Sequence, residues 1–222
     1  MPTAHRELVT IGTDSVTVEG LLALPETPVG IVLFAHGSGS SRHSPRNNFV
    51  ASELRKAGLG TLLMDLLGED EEHDTAKRFD IPLLGRRLAA TADWLSEYAA
   101  TRSLPFGLFG ASTGSAAALA LAAARPDLVA AVVSRGGRPD LAGAEVLAAV
   151  QAPTLLLVGG LDTEVIALNK AAAVHLAGPK HLEIIPGASH LFEEPGRLEI
   201  VAHHAVDWFG RHLVNTGKFR PG

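Results

Sequence analysis

The chain of 222 residues contains no cysteine. Disulfides, thiolate metal centres and a cysteine nucleophile are thereby excluded. No apolar run approaches the roughly 20 residues that a membrane-spanning helix needs. Met1 to Thr10 carry charges where a secretory signal would carry an apolar stretch, so the cytoplasm is the expected location. A basic face is missing as well: net charge is −5, which argues against a general affinity for nucleic acid. Against these absences stand 46% hydrophobic and 19% charged residues, the balance of a compact folded chain. Neither a linker nor an internal repeat interrupts it, and one domain over residues 1–222 is expected.

Short β-rich apolar runs alternate with longer runs rich in alanine and leucine. Leu8–Ile11 and Val16–Leu24 flank Gly12-Thr13-Asp14 and read as an antiparallel hairpin. Ile31–Ala35, Gly60–Met64, Phe106–Phe109, Leu128–Ser134, Thr154–Val158 and Leu182–Ile185 read as strands, several of them apolar throughout, as burial on both faces requires. Asn47–Ala57, Pro82–Ala99, Ser115–Ala124, Ala142–Val150, Val165–Ala177 and Leu198–His212 have helical spacing. Such alternation predicts an α/β fold: a mostly parallel central sheet with helices on both faces, an N-terminal antiparallel hairpin and no large cap. In sheets of this kind ligands bind at the carboxyl ends of the strands, so the residues following each strand are the candidates for chemistry.

After Phe106–Phe109 comes Gly110-Ala111-Ser112-Thr113-Gly114, a G-x-S-x-G pattern between a strand and a helix. A turn this tight strains its central residue, and small neighbours relieve the crowding between strand and helix. The hydroxyl of Ser112 is then presented above the sheet as a candidate nucleophile. A serine needs a base. Asp162 follows Thr154–Val158, and His190 follows Leu182–Ile185, in the order serine, acid, histidine. His190 is the candidate base and Asp162 the candidate acid, with Asp140 as the rival acid. Acyl transfer also needs donors for a developing oxyanion. The backbone N–H of Thr113 is one candidate. The other is the N–H of Ser38, in the loop His36-Gly37-Ser38-Gly39 after Ile31–Ala35, where flanking glycines let backbone approach a ligand.

With these residues in place the chain resembles the α/β-hydrolase superfamily, and more closely its dienelactone-hydrolase-like branch of small, capless enzymes. His36-Gly37-Ser38-Gly39, Gly110-Ala111-Ser112-Thr113-Gly114, Gly160-Leu161-Asp162 and Gly187-Ala188-Ser189-His190 carry the resemblance over nearly the whole chain. The resemblance implies an α/β-hydrolase fold and a serine–histidine–acid triad. Dienelactone hydrolases proper use a cysteine nucleophile, and this chain has none, which points to an ordinary serine esterase; the short loops after the strands and the lack of a cap suit small or medium acyl groups. The segments from Ser41 to Asn47 and from Ser134 to Asp140 look like a subgroup of hydrolases that occur alone or joined to a phosphoribosyltransferase domain.

Both segments follow strands, so Arg42, Arg46 and Arg135, with Arg138, are candidates for holding a substrate carboxylate or phosphate, and Gly37 is a further candidate for substrate binding. Solvated loops with local ion pairs are the plainer reading, and a buried arginine that orients the nucleophile turn is a third. The acidic run Glu69 to Asp74 lacks ordered ligand spacing and reads as a solvated loop. No metal and no cofactor is expected. The expected partner is a small-molecule ester, with neither nucleic acid nor membrane involved, and the sequence leaves room for a homodimer. An amidase, thioesterase or acyltransferase would use the same triad, and a non-catalytic binding module could keep the same fold.

Overall fold

The computed structural model describes residues 3–14 and 16–214. Eight strands form one sheet in the order β1-β2-β4-β3-β5-β6-β7-β8. They are β1 (Thr3–Gly12), β2 (Thr17–Pro25), β3 (Ile31–Ala35), β4 (Gly60–Met64), β5 (Phe106–Ala111), β6 (Val129–Arg135), β7 (Thr154–Gly159) and β8 (Lys180–Ile185). The first two form the expected antiparallel hairpin, and β2 also runs antiparallel to β4. Every later pair, from β3·β4 to β7·β8, is parallel.

The helices are α1 (Pro45–Lys56), α2 (Thr75–Arg78), α3 (Ile81–Glu97), α4 (Thr113–Ala124), α5 (Ala144–Ala149), α6 (Thr163–His175) and α7 (Arg197–Phe209), the last running into a π-helical turn over Gly210–Val214. Their starts follow local chemistry. Ser44 Oγ accepts the N–H of Asn47 at 3.3 Å ahead of α1, with Pro45 in the first position. Asp80 Oδ1 accepts that of Leu83 at 3.0 Å ahead of α3. Each satisfies an N–H that the helix itself cannot. The structure lengthens the predicted β1, β5, β7, β8, α1 and α4, shortens α3, α5 and α7, and adds α2 and two single 3-10 turns, Glu71–His73 and Pro139–Ala142. These are too short to carry a hydrophobic period.

Because strand side chains alternate, each inner strand feeds two cores. Leu33, Leu108, Val132 and Leu156 face α3 and α4. Phe34, Phe109, Val133 and Leu157 face α1 and α7. Phe34 and Phe109 touch across β3 and β5 with ring centroids 4.8 Å apart. α7 lies so close to β5 that a Cβ on Gly107 would stand 2.7 Å from the Phe209 ring. The strand β8, one of the two edges, differs from the inner ones: it pairs only with β7, and Lys180, His181 and Glu183 leave most of it partly open to solvent.

The acidic run is more than a solvated loop. Glu71 is buried, accepts the N–H of Gly68 at 3.0 Å and pairs with Arg87 at 3.2 Å and Lys77 at 3.1 Å. Arg87, on α3, is fully enclosed and also reaches Asp14 at 2.8 Å. The run ties the hairpin to α3, a role that depends on partners far away in sequence.

Phe209→Ala removes a fully buried ring from the α7 face. It is expected to cost about 3–5 kcal/mol, measured as a lower midpoint of urea unfolding.

Candidate active site

β3 sits between β4 and β5, so the order of the sheet reverses there and the carboxyl ends of β3 and β5 open side by side. The turn after β5 holds Ser112 at φ 50°, ψ −123°, a region that costs a non-glycine residue strain. Two absent side chains permit it. A Cβ on Gly110 would stand 2.5 Å from Ser115 Cα, and one on Gly114 would stand 2.3 Å from the Ala35 carbonyl oxygen. The turn is fastened to the loop after β6: Ser112 N–H donates to the Arg135 carbonyl at 3.2 Å, and Arg138 N–H donates to the Ser112 carbonyl at 3.1 Å.

The loop after β3 closes against this turn. Gly37 lies beside the serine, where a Cβ would stand 2.9 Å from Ser112 Cβ. Ser38 N–H points to the turn, and its acceptor is Thr113 Oγ1 at 2.9 Å. The residue expected to offer only its backbone thus holds the second expected donor with its side chain. His36 anchors the loop. Leu66 N–H donates to His36 Nε2 at 2.9 Å, so the ring proton is on Nδ1, which donates to the Gly37 carbonyl at 2.9 Å. Burial pushes the His36 pKa down, against smaller opposing effects of the Gly37 carbonyl, Glu72 and Asp65.

His190 and Asp162 meet across the ends of β8 and β7, with Nδ1 and Oδ2 2.6 Å apart. Asp162 occupies the cap position of α6 without capping it, which leaves its carboxylate to the histidine. The two loops interlock. Leu161 N–H donates to the Ala188 carbonyl at 2.9 Å, and a Cβ on Gly159 would collide with the Ser189 carbonyl at 2.4 Å. Glu194 accepts the Ser189 N–H at 3.0 Å. Phe192 is buried at φ 58°. Neither Phe192 nor Glu194 carries a sequence pattern that marks it. Asp140 is elsewhere, gripped by Arg138 at 2.7 and 2.9 Å. Among the described residues no hydrogen bond reaches Ser112 Oγ, and a longer separation from the base is common before substrate tightens a site.

The arginines part company. Arg42 pairs with Asp65 and with Glu19. It lines, with Arg46, a cleft of about 960 Å³ between the loops after β3 and β4. Arg46 pairs with Glu193 at 2.8 Å. Arg135 is buried against Phe192 and Asn47. Among the described residues no cluster of three metal-binding side chains occurs, and no helix is long and apolar enough to cross a membrane.

The model of the α/β hydrolase fold family matches residues 30–182. The chain belongs to this family. A dienelactone hydrolase from Anabaena variabilis is 54% identical, superposes with a TM-score of 0.90, and the match covers 94% of this chain and 98% of that one. Est1E from Butyrivibrio proteoclasticus shares the fold at 15% identity and a TM-score of 0.80, covering 92% and 98%. A Mycobacterium tuberculosis protein with the provisional name phosphoribosyl transferase is 54% identical over 216 residues, 97% of this chain. The chain spans 48% of that relative's length. The α/β-hydrolase architecture and the dienelactone-hydrolase-like branch agree with the resemblance read from the sequence.

His36 generates a pH prediction for this hydrolase. Its folded-state pKa lies below its unfolded value near 6.5, so the unfolded chain takes up the proton first as pH falls. Stability is then full above about pH 6.5 and declines below it. Thermal midpoints measured from pH 8 to pH 5 are expected to fall more steeply in the wild type than in His36→Gln.

Proposed function

We propose that the chain is a serine hydrolase that cleaves carboxylic esters of small or medium acyl groups. The observation that carries this reading is the 2.6 Å Asp162–His190 pair on the same rim as the strained turn of Ser112. In the first step Ser112 Oγ attacks the ester carbonyl while His190 Nε2 takes its proton. Asp162 holds the ring with Nδ1 protonated and stabilises the imidazolium. The N–H of Thr113, first residue of α4 and so without an acceptor inside the helix, receives the oxyanion together with the N–H of Ser38, which turns from the Thr113 hydroxyl to the new charge. His190 then protonates the leaving alcohol. Water, activated by the same histidine, releases the acid and restores the serine.

The likeness to a dienelactone hydrolase at 54% identity supports ester cleavage, a dienelactone being itself a cyclic ester. The transferase name of the mycobacterial relative is not carried over. The chain matches about half of that protein, and the turn of Ser112 with the Asp162–His190 pair supports a hydrolase reading for this half. The short loops above the sheet support an open site suited to small acyl groups.

Ser112→Ala is expected to lower kcat on p-nitrophenyl acetate by about 10⁴-fold or more while circular dichroism stays unchanged. A fluorophosphonate probe should add one adduct to the wild-type mass, mapped to Ser112, and none to the variant. Full activity or an unchanged adduct in Ser112→Ala would overturn the nucleophile. Asp162→Asn is expected to cost about 10³- to 10⁴-fold in kcat with little change in KM, and a loss below tenfold would move the acid elsewhere.

A further inference from the structure

The rim arginines differ in what neutralises them. Arg42 has Asp65 and Glu19, and Arg138 has Asp140. Arg135 has no carboxylate partner among the described residues. It is 5% exposed. Its Nη2 donates to the neutral Asn47 Oδ1 at 3.1 Å, and its Nε is sealed without an acceptor. Nη1 is neither bonded nor sealed, so it is the edge through which the group meets its surroundings. Burial, and then the neighbouring Arg46, push its pKa down to about 10, the mark of a cation without a counter-charge.

Arg46 is its companion. It too has a sealed Nε with no acceptor, and its one carboxylate partner, Glu193, has a side chain 61% exposed. An ion pair so exposed holds weakly. Arg46 and Asn47 stand in the first turn of α1, which contains no acidic residue. The positive end of the helix therefore adds to the two guanidinium groups. Packing against Phe192 does not require a charge, since an uncompensated buried cation is destabilising where an apolar chain of the same volume is not. The patch adjoins Ser112: the carbonyl of Arg135 accepts the serine's N–H, and Glu193 follows His190 by three positions.

We propose that Arg135, Arg46 and the N-terminus of α1 form a subsite for a dianionic phosphate group carried by the ester on which Ser112 acts. The ester half of this statement rests on the serine-hydrolase reading. The phosphate half rests on charge. Two guanidinium groups call for two negative charges, and a carboxylate would only replace what Glu193 already supplies. A phosphate monoester brings both charges and three acceptor oxygens, enough to displace Glu193 and span both arginines.

Calorimetric titration with phenyl phosphate and with benzoate, above pH 7 at fixed ionic strength, tests the subsite. The wild type is expected to bind phenyl phosphate about tenfold or more tightly than benzoate. Arg46→Met, a change at a partly exposed position, should weaken phenyl phosphate about tenfold, Arg46→Lys should recover part of it, and Glu193→Gln should strengthen it. No binding of phenyl phosphate, equal or tighter binding of benzoate, or unchanged binding in Arg46→Met would each overturn the subsite. The link to the ester is read from kcat/KM for acetylglycerol phosphate against acetylglycerol. A ratio above about ten that collapses in Arg46→Met supports it, and a wild-type ratio near one overturns it. If phenyl phosphate binds but neither ester is turned over, the link to the ester is overturned and the phosphate subsite stands, while the fluorophosphonate adduct reads the nucleophile separately.

Discussion

The first turn of α4 passes beneath the carbonyls of Ala35 and His36, so close that a Cβ on Gly114 would lie 2.3 and 2.4 Å from their oxygens. Most of the site follows from that approach. It brings the end of β3 against the turn after β5, which places Gly37 beside Ser112 and turns the Ser38 N–H toward Thr113. It also fixes the start of α4, and with it the direction in which Ser112 stands. The strain at Ser112 is sustained by cores on both faces of the sheet. Overdetermination of this kind is what allows a functional site to hold an unfavourable backbone conformation.

Two kinds of information about this chain differ in reach. The inner strands were legible because a parallel sheet covered on both faces needs continuous apolar runs, and Ile31–Ala35 and Gly60–Met64 appear with the predicted bounds. Ser112, Asp162 and His190 were legible because each follows a strand, and the sheet brings strand ends to one rim. The bond from Ser38 to the Thr113 hydroxyl joins residues 75 apart, and no local pattern announces it. Glu71 looked like one more acid in a solvated run because Arg87 reaches it only through tertiary packing. The left-handed turn at Phe192 was invisible for a further reason: phenylalanine has no preference for it, and the surrounding packing imposes it.

The electrostatics show a division of labour between arginines that look alike in sequence. Arg87 and Arg42 are structural cations, each held by two carboxylates that join separate parts of the chain. Arg138 closes a short local loop on Asp140. Arg135 lies in the same short segment as Arg138, yet it is buried as the last residue of β6, whereas Arg138 stands beyond the strand, in the loop that follows. Three positions along the chain separate a local ion pair from a buried charge.

The turn of Ser112 is rooted in the middle of the sheet, whereas Asp162 and His190 hang from β7 and from β8, the half-open edge strand with a single neighbour. Edge strands open at a lower free-energy cost than central ones. Warming would therefore loosen β8 before the inner strands and part His190 from Asp162 while those strands were still paired. The chain would pass through a state with its sheet largely intact and the Asp162–His190 bond broken, so that bond would be kept to higher temperature by reinforcing that one edge and not by enlarging the core.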